Sequence, residues 1–247
     1  MKRVLLTGAS RGLGAGLLRE ARATGADATV IGRHPPDAGS TSAGSGTEPA
    51  LRFIACDLAT LDSIPRAVDE AIDGVDVFDL VLLNAGVLGE IRDLSEQSIN
   101  DVRGVMDVNV WANKVLLDRL LDPQHGAAVR HVVGISSGAA ANGSGGWGPY
   151  AISKAALNLL LRVYADERPA THFTALAPGV IRTAMTESIV ADAPRETRHP
   201  ASGRIRELFE HGEPSTPAQA ARRIFSVLSR LRSEFPSGAF VDVRDLE

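Results

Sequence analysis

Tyr150 and Lys154 stand four residues apart in a run that is typical of a helix. Positions i and i+4 share one helix face, so we expect the phenol and the ammonium to lie side by side. A nearby cation lowers a tyrosine pKa and brings the phenol closer to the pH range where an acid–base group is useful. The pair predicts proton transfer by Tyr150, although a packing tyrosine beside a solvated lysine is the alternative.

Two more polar residues could take part in the same chemistry. Ser137 follows the apolar run His131 to Ile135, which has strand length, and precedes Tyr150 in the chain. Asn109 lies in a stretch from 95 to 121 that we predict to be one long helix. Taken singly, Ser137 is also typical of a turn and Asn109 of a buried cap. Ser136 is the neighbouring alternative to Ser137.

A glycine-rich turn follows the first apolar run of the chain. Gly8 permits a sharp turn, Gly12 lets the backbone approach a pyrophosphate, and Gly14 lets a helix and a strand pack closely. The N-terminus of the following helix directs free N–H groups at the phosphates. The turn therefore predicts a dinucleotide site formed by Gly8, Ser10, Arg11, Gly12, Leu13 and Gly14.

The residues after the second strand indicate which dinucleotide binds. Folds that prefer NAD place an acidic residue there for the ribose hydroxyls, whereas this chain has Arg33. An arginine can hold a 2′-phosphate with two hydrogen bonds, and Arg11 in the glycine turn is a second candidate. We therefore predict NADP(H), with an ordinary solvated arginine as the alternative at both positions.

The glycine spacing TGxxxGxG, joined to the YxxxK pair, resembles the short-chain dehydrogenase/reductase family over nearly the whole chain. The resemblance implies hydride transfer between a nicotinamide and a carbonyl carbon. Tyr150 would donate the proton, Ser137 would orient the carbonyl oxygen, and Lys154 would bond the nicotinamide ribose. Asn109 would hold a water that links Lys154 to solvent.

The same resemblance implies further cofactor contacts. Asp57 and Leu58 match the family's adenine-contacting position, and Asn84-Ala85-Gly86 matches its NAG motif. The segment from Pro178 to Thr183 matches the PGxxxT motif near the nicotinamide. The cofactor residues implied there are Pro178, Gly179, Ile181 and Thr183.

Within the family, the chain is similar to the sepiapterin reductases and the benzil-type diketone reductases. The similarity lies in GWxxY at 146–150, TxM at 183–185 and the SGAxVD ending at 237–242. It implies a vicinal dicarbonyl or pterin-like ketone as substrate, with Trp147, Met185 and Asp242 in its pocket. Asp242 would accept hydrogen bonds from an amino-pyrimidine edge, or be a strand-end aspartate exposed to water. Residues 184–214 would form a substrate lid, or an ordinary surface helix pair.

The elements that must position these residues alternate between strand-like and helix-like segments. This alternation predicts a Rossmann-type, doubly wound α/β fold with a parallel sheet of about seven strands in one domain. Its ligand is expected beyond the carboxyl ends of the strands. Residues 35–50 are rich in glycine, serine and proline, which predicts a loop. The predicted strands are 4–7, 28–32, 51–55, 79–83, 131–135, 173–177 and 239–243; the helices are 13–24, 62–72, 95–121, 150–167 and 216–231.

Composition limits the remaining classes of function. The net charge of −4 over 247 residues argues against a nucleic-acid partner. The single cysteine, Cys56, rules out an intramolecular disulfide and fits a cytoplasmic location, and no apolar run is long enough for a membrane span. The six histidines show no paired metal-ligand spacing.

Three points stay open at this stage. The motifs equally fit an NADP-dependent alcohol dehydrogenase or a biosynthetic ketoreductase with an unrelated substrate. A non-catalytic dinucleotide-binding regulator is disfavoured by the intact serine, tyrosine and lysine. The family resemblance implies a homodimer or homotetramer through the long helices. Their apolar residues Val110, Trp111, Leu157 and Leu160 serve either that interface or the core.

Overall fold

The computed structural model describes residues 1–37, 49–143, 145–192 and 199–246. Seven strands of this part form one parallel sheet, which confirms the doubly wound α/β fold. Two further short strands, β4 and β6, pair beside it. The strands are β1 Arg3–Thr7, β2 Asp27–Gly32, β3 Leu51–Ala55, β4 Val77–Phe78, β5 Leu80–Leu83, β6 Ala128–Val129, β7 His131–Ile135, β8 His172–Ala177 and β9 Ala239–Asp242.

Helices cover both faces of the sheet. Their bounds are α1 Gly12–Ala23, α2 Ile64–Ile72, α3 Ile99–Met106, α4 Ala112–Leu120, α5 Ala139–Asn142, α6 Gly148–Glu167, α7 Ala184–Asp192, α8 Pro200–His211 and α9 Pro217–Glu234. A π-helical segment, Asp107–Trp111, joins α3 to α4. The predicted loop at 35–50 falls largely on residues 38–48, which lie outside the described part.

Two apolar cores form because successive strand residues point to opposite faces of the sheet. In β1, Leu5 enters the core beneath α2, α4 and α6, while Val4 and Leu6 enter the core beneath α1 and α9. The α1–α9 contact depends on Gly16, since a methyl group there would lie 2.6 Å from the backbone oxygen of Pro217. The two cores fix the sheet between helix layers and so fix its carboxyl edge.

The predicted helix 95–121 is wrong at its start. The chain forms a short 3-10 turn at Leu94–Glu96, and the true helix begins after Ser98. The Ser98 hydroxyl accepts from the backbone N–H of Asp101, and the Asp101 carboxylate accepts from the Ser98 N–H. This capping box satisfies two donors that a helix start leaves free, and therefore sets the boundary.

The strand order β3-β2-β1-β5-β7-β8-β9 reverses direction between β1 and β5. The connections after these two strands diverge, which opens a crevice at their carboxyl ends, where ligands bind in such sheets. No helix within the described ranges is long and apolar enough to cross a membrane.

Candidate active site

The glycine turn closes over the carboxyl end of β1. Gly8 has φ +71° and donates its N–H to the Ile31 oxygen at 3.0 Å, which ties the turn to β2. A methyl group on Gly14 would lie 2.0 Å from the Gly8 oxygen, so no larger residue fits without moving the backbone. The turn thus brings the N-terminus of α1 to the crevice, with Ser10 partly buried beside it and the Leu13 side chain in the core.

Asn84 braces this turn from the neighbouring strand. Its Nδ2 donates to the oxygens of Thr7 and Gly8 at 3.1 and 2.9 Å. The Thr7 hydroxyl accepts from the backbone N–H groups of Asn84 and Ala85 at 3.0 and 3.1 Å. Sequence reasoning placed Asn84 at the cofactor and missed Thr7. In the structure, Asn84 holds the shape of the turn, and Ala85 packs under Gly8.

The residues predicted to meet the adenosine half lie at the ends of β2 and β3. Arg11 and Arg33 are exposed, and within the described ranges neither forms an ion pair. Asp57 is exposed after β3 and accepts from the Ala59 N–H at 3.0 Å, while Leu58 is buried. Arg11, Arg33 and Asp57 therefore follow three neighbouring strands at the carboxyl edge of the sheet with exposed side chains.

Ser137, Tyr150 and Lys154 meet at the carboxyl end of β7. Pro149 opens α6, and Tyr150 follows in its first turn. The Ser137 hydroxyl lies close enough to the Tyr150 phenol to affect its pKa, and the Lys154 Nζ lies 5.6 Å from the centre of the Tyr150 ring. Burial raises the pKa of Tyr150, which is opposite to the lowering expected from Lys154, and only the Ser137 hydroxyl acts to lower it.

Lys154 is buried at the inner end of this group. Its Nζ donates to the backbone oxygen of Ile135, the last residue of β7, at 2.7 Å. Burial lowers its pKa to about 8, because the charged form loses solvation. A methyl group on Gly86 would lie 3.5 Å from this Nζ, so the NAG segment passes directly beside the ammonium.

Asn109 is fully buried in the π-helical segment. Its Oδ1 accepts from the Val87 N–H at 2.8 Å, and its Nδ2 donates to the Val87 oxygen and the Ser153 hydroxyl, both at 2.9 Å. Its backbone oxygen accepts from the Asn113 Nδ2 at 2.8 Å. The contacts make Asn109 a clamp between the NAG segment and the catalytic helix, while its water-holding role stays a prediction. Sequence reasoning missed Ser153 and Asn113.

The structure separates Ser136 from Ser137. Ser136 is buried, and its hydroxyl donates to the Oδ1 of Asn158 at 2.5 Å. Asn158 lies two helical turns after Tyr150 on α6. Ser137 is only partly buried, and its hydroxyl also accepts from the Ala139 N–H at 3.1 Å. Of the two serines, Ser137 has its side chain at Tyr150.

The segment after β8 returns to the glycine turn. Pro178 is buried, Gly179 has φ +77°, and Ile181 pairs with Ser215. A methyl group on Gly12 would lie 3.5 Å from Cγ2 of Thr183. Thr183 therefore lies over the start of α1, as expected for a residue that contacts the cofactor.

A third apolar cluster lies outside the sheet, between α6 and the helices α7 and α8. Trp147 is 4% exposed, although it was predicted to line a substrate pocket, and it packs with residues of both helices. The cluster consists of Leu88, Trp147, Ile189 and Ala201, with Ile91, Tyr150, Met185 and Ile205 partly buried against it. His199, at the start of α8, contacts Asp93 at 3.0 Å and would lie 2.9 Å from a methyl group on Gly146.

Asp242 ends β9 and is paired within the chain. Nε and Nη2 of Arg244 donate to its two carboxylate oxygens at 2.8 and 2.6 Å. The hydrogen bond from Arg244 holds the pKa of Asp242 below its usual range. Sequence reasoning missed Arg244, because nothing in a local pattern signals that a side chain folds back over a strand end.

This arrangement joins a dinucleotide turn to a Ser–Tyr–Lys group at one sheet edge, and comparison with known proteins agrees with it. The sequence profile of the family described as short chain dehydrogenase matches residues 2–194. The chain belongs to this family, whose members use a nicotinamide dinucleotide cofactor.

Two relatives of known activity are similar to nearly the whole chain. The chain is 27% identical to the benzil reductase ((S)-benzoin forming) of Bacillus subtilis (strain 168), over 93% of this chain and 94% of that protein. It is 30% identical to the sepiapterin reductase of Meriones unguiculatus, over 98% of this chain and 95% of that protein. Among solved structures, it resembles the KRED1-Pglu enzyme with a TM-score of 0.80 and 27% identity, covering 98% of this chain and 100% of that one.

Proposed function

We propose that this chain is an NADPH-dependent carbonyl reductase that acts on a ketone, in particular one carbonyl of a vicinal dicarbonyl or a pterin-like side-chain ketone. The observation that carries the proposal is the meeting of Ser137, Tyr150 and Lys154 beside Gly86, at the carboxyl edge where the glycine turn ends. A proton donor thus lies next to a dinucleotide site, as a carbonyl reduction requires.

The chain's own residues fit a dinucleotide. Gly8 and Gly12 adopt positive φ angles of 71° and 57°, and the start of α1 has no side-chain cap, so its backbone donors are available to a phosphate. We assign the phosphates to the glycine turn and Thr183, and the nicotinamide ribose to Tyr150 and Lys154. When bound, the reduced nicotinamide supplies the hydride.

The proton then comes from Tyr150. Its hydroxyl donates to the carbonyl oxygen as that oxygen gains charge, and the Ser137 hydroxyl donates a second hydrogen bond that orients the same oxygen. Below its pKa of about 8, the Lys154 ammonium stabilises the phenolate that remains. Asn109 keeps Val87 and Ser153 fixed around this group, which preserves the geometry on which the transfer depends.

The substrate class rests on two supports. One is the similarity to a benzil reductase and a sepiapterin reductase. The other is the apolar cluster that places Trp147 and Met185 beside Tyr150, since apolar walls suit an aryl or alkyl dicarbonyl. Under this proposal, α7 and α8 form the lid over the pocket, within residues 184–214.

NADPH oxidation against a substrate panel tests the proposal. The panel contains benzil, an aliphatic diketone, sepiapterin and simple ketones. We expect dicarbonyls to give the highest kcat/KM. Turnover of simple ketones alone would support carbonyl reduction but contradict the proposed substrate class. No turnover despite NADPH binding would favour a non-catalytic dinucleotide-binding protein.

The preference for NADP has its own test, the substitution Arg33→Asp. Removing the guanidinium and adding a carboxylate is expected to lower the NADPH/NADH ratio of kcat/KM by about 10- to 100-fold, since charge-assisted hydrogen bonds to the 2′-phosphate are lost. Arg19→Asp, on the exposed face of α1, makes the same charge change and should leave the ratio unchanged. If Arg33→Asp leaves the NADPH/NADH ratio unchanged, as the control does, Arg11→Asp tests whether Arg11 holds the 2′-phosphate instead.

The proposal extends to assembly and location. Val110 and Leu157 lie in the core and Leu160 packs against it, whereas Trp111 is 44% exposed. Leu159, next to Leu160 on α6, is 63% exposed. These exposed apolar side chains support a homodimer or homotetramer through the long helices, which sedimentation equilibrium would measure. The cytoplasmic location stays a prediction from the single cysteine, tested by fractionation of the producing cell.

A further inference from the structure

Arg244 is held rigidly at the rim of the candidate active site. Besides the two bonds from its side chain to Asp242, its backbone N–H donates to the Asp242 Oδ1 at 3.0 Å. A guanidinium that donates two parallel hydrogen bonds to a carboxylate is fixed in direction as well as in place. The Asp242 side chain is 12% exposed, whereas that of Arg244 is 60% exposed, so the aspartate anchors the arginine from beneath.

Two glycines leave the path of this arginine open. A methyl group on Gly179 would lie 3.6 Å from Cδ of Arg244, and one on Gly138 would lie 3.8 Å from its Nη2. Gly138 directly follows Ser137, and Gly179 belongs to the segment that leads to Thr183. The guanidinium therefore lies beside Gly138, the residue next to the predicted carbonyl-orienting serine.

The pairing changes what the rim can recognise. An unpaired Asp242 would present acceptors and select a ligand with N–H donors, such as an amino-pyrimidine edge. In this chain, the Nε and Nη2 of Arg244 already donate to those carboxylate oxygens. The third nitrogen, Nη1, forms no hydrogen bond with any residue in 1–37, 49–143, 145–192 or 199–246. The rim consequently presents donors and requires an acceptor.

We propose that Arg244 is a specificity-determining residue that donates a hydrogen bond to the distal oxygen of a vicinal dicarbonyl, with Asp242 as its positioning residue. The inference rests on the proposed carbonyl reduction and narrows its substrates to diketones and α-keto esters or acids. A second carbonyl oxygen satisfies the rim, whereas an amino-pyrimidine ring meets donor against donor and is rejected. Under the proposal, Asp242 acts on substrate through Arg244 and not directly.

Arg244→Met tests this because methionine keeps an unbranched apolar stem along Gly179 and removes the donors. We expect kcat/KM for benzil to fall about 10- to 100-fold, as for loss of a charge-assisted hydrogen bond, and kcat/KM for sepiapterin to rise because Asp242 is freed. Arg119→Met removes a different paired arginine, bound to Asp69 between α4 and α2, and should leave the ratio of the two substrates unchanged. Adding Asp242→Asn to Arg244→Met should abolish the gain on sepiapterin.

Binding of pterin itself, which lacks a reducible side-chain ketone, gives a readout that does not need turnover. In the NADP-loaded protein, titration of pterin fluorescence should show at least about tenfold tighter binding to Arg244→Met than to the parent chain. Equal binding, or a parent chain that prefers sepiapterin to benzil, overturns the inference and leaves carbonyl reduction standing. Should no carbonyl be reduced by the parent chain, the proposed function fails, and pterin binding still decides the role of Arg244. If the methionine variant folds poorly, Arg244→Lys replaces it in the test. Lysine keeps the charge but loses the paired hydrogen bonds to Asp242, so it should lower the pterin Kd by less than methionine does.

Discussion

Tyr150→Phe is expected to lower kcat for carbonyl reduction about 10²- to 10⁴-fold, the usual contribution of a positioned proton donor. The substitution removes only the hydroxyl and keeps the ring that packs in the third apolar cluster and faces Lys154 at 5.6 Å. NADPH should therefore still bind, which fluorescence titration can measure beside steady-state kinetics. The loss should lie in kcat, because the proton transfer belongs to the transition state.

The other tyrosine of the chain, Tyr164, provides a matched control on the same helix. Its hydroxyl donates to the Lys114 oxygen at 3.2 Å and contacts the Asp118 carboxylate, and its ring stacks on Phe173. Tyr164→Phe should cost about 1 kcal/mol of folding free energy through the lost hydrogen bonds and leave kcat within about twofold. A Tyr150→Phe protein that keeps more than about a tenth of kcat would show that another group supplies the proton.

Gly14→Ala is expected to weaken NADPH binding by at least about tenfold and to destabilise the fold by about 1–3 kcal/mol, the usual cost of overpacking. The added methyl group would lie 2.0 Å from the Gly8 oxygen and 2.6 Å from the Asn84 Nδ2. Both neighbours shape the glycine turn, so the turn must open to make room. Calorimetric titration with NADPH and urea unfolding would measure the two losses.

Gly104→Ala is the control for that substitution. Gly104 lies in the exposed part of α3, and a methyl group there would meet no atom within 4 Å. Alanine favours helix over glycine by about 0.5–1 kcal/mol, so this variant should be slightly more stable and bind NADPH normally. If both variants bind NADPH equally well, the glycine turn is not the phosphate site.

Much of the fold was predictable because its signals are local. The strands Leu51–Ala55 and His131–Ile135 have the bounds read from their apolar runs, and α1 ends within one residue of the predicted end at 24, just before Gly25 with φ +80°. The proximity of Tyr150 and Lys154 likewise follows from helical periodicity alone. In each case, neighbours in sequence determine the structure.

Most of the missed features depend on contacts between distant segments. Asn109 reaches Val87, 22 residues away, and Thr7 reaches Asn84, 77 residues away. The π-helical turn at Asn109 is stabilised by these contacts and by Asn113, and no propensity in the local sequence marks it. Arg244 is a different case, since its partner is two residues away but its placement depends on the glycines at 138 and 179.

If the chain reduces a ketone as proposed, the third apolar cluster ties the exit of the alcohol product to the packing of the proton donor. Ile189 on α7 and Ala201 on α8 pack with Trp147, the residue that precedes α6, and the Tyr150 ring packs against the same group. Parting α7 and α8 from α6 would expose the flank of the phenol at the moment the exit opens. Under the proposed function, product escape and the realignment of the proton donor would then be one packing transition, with a shared rate.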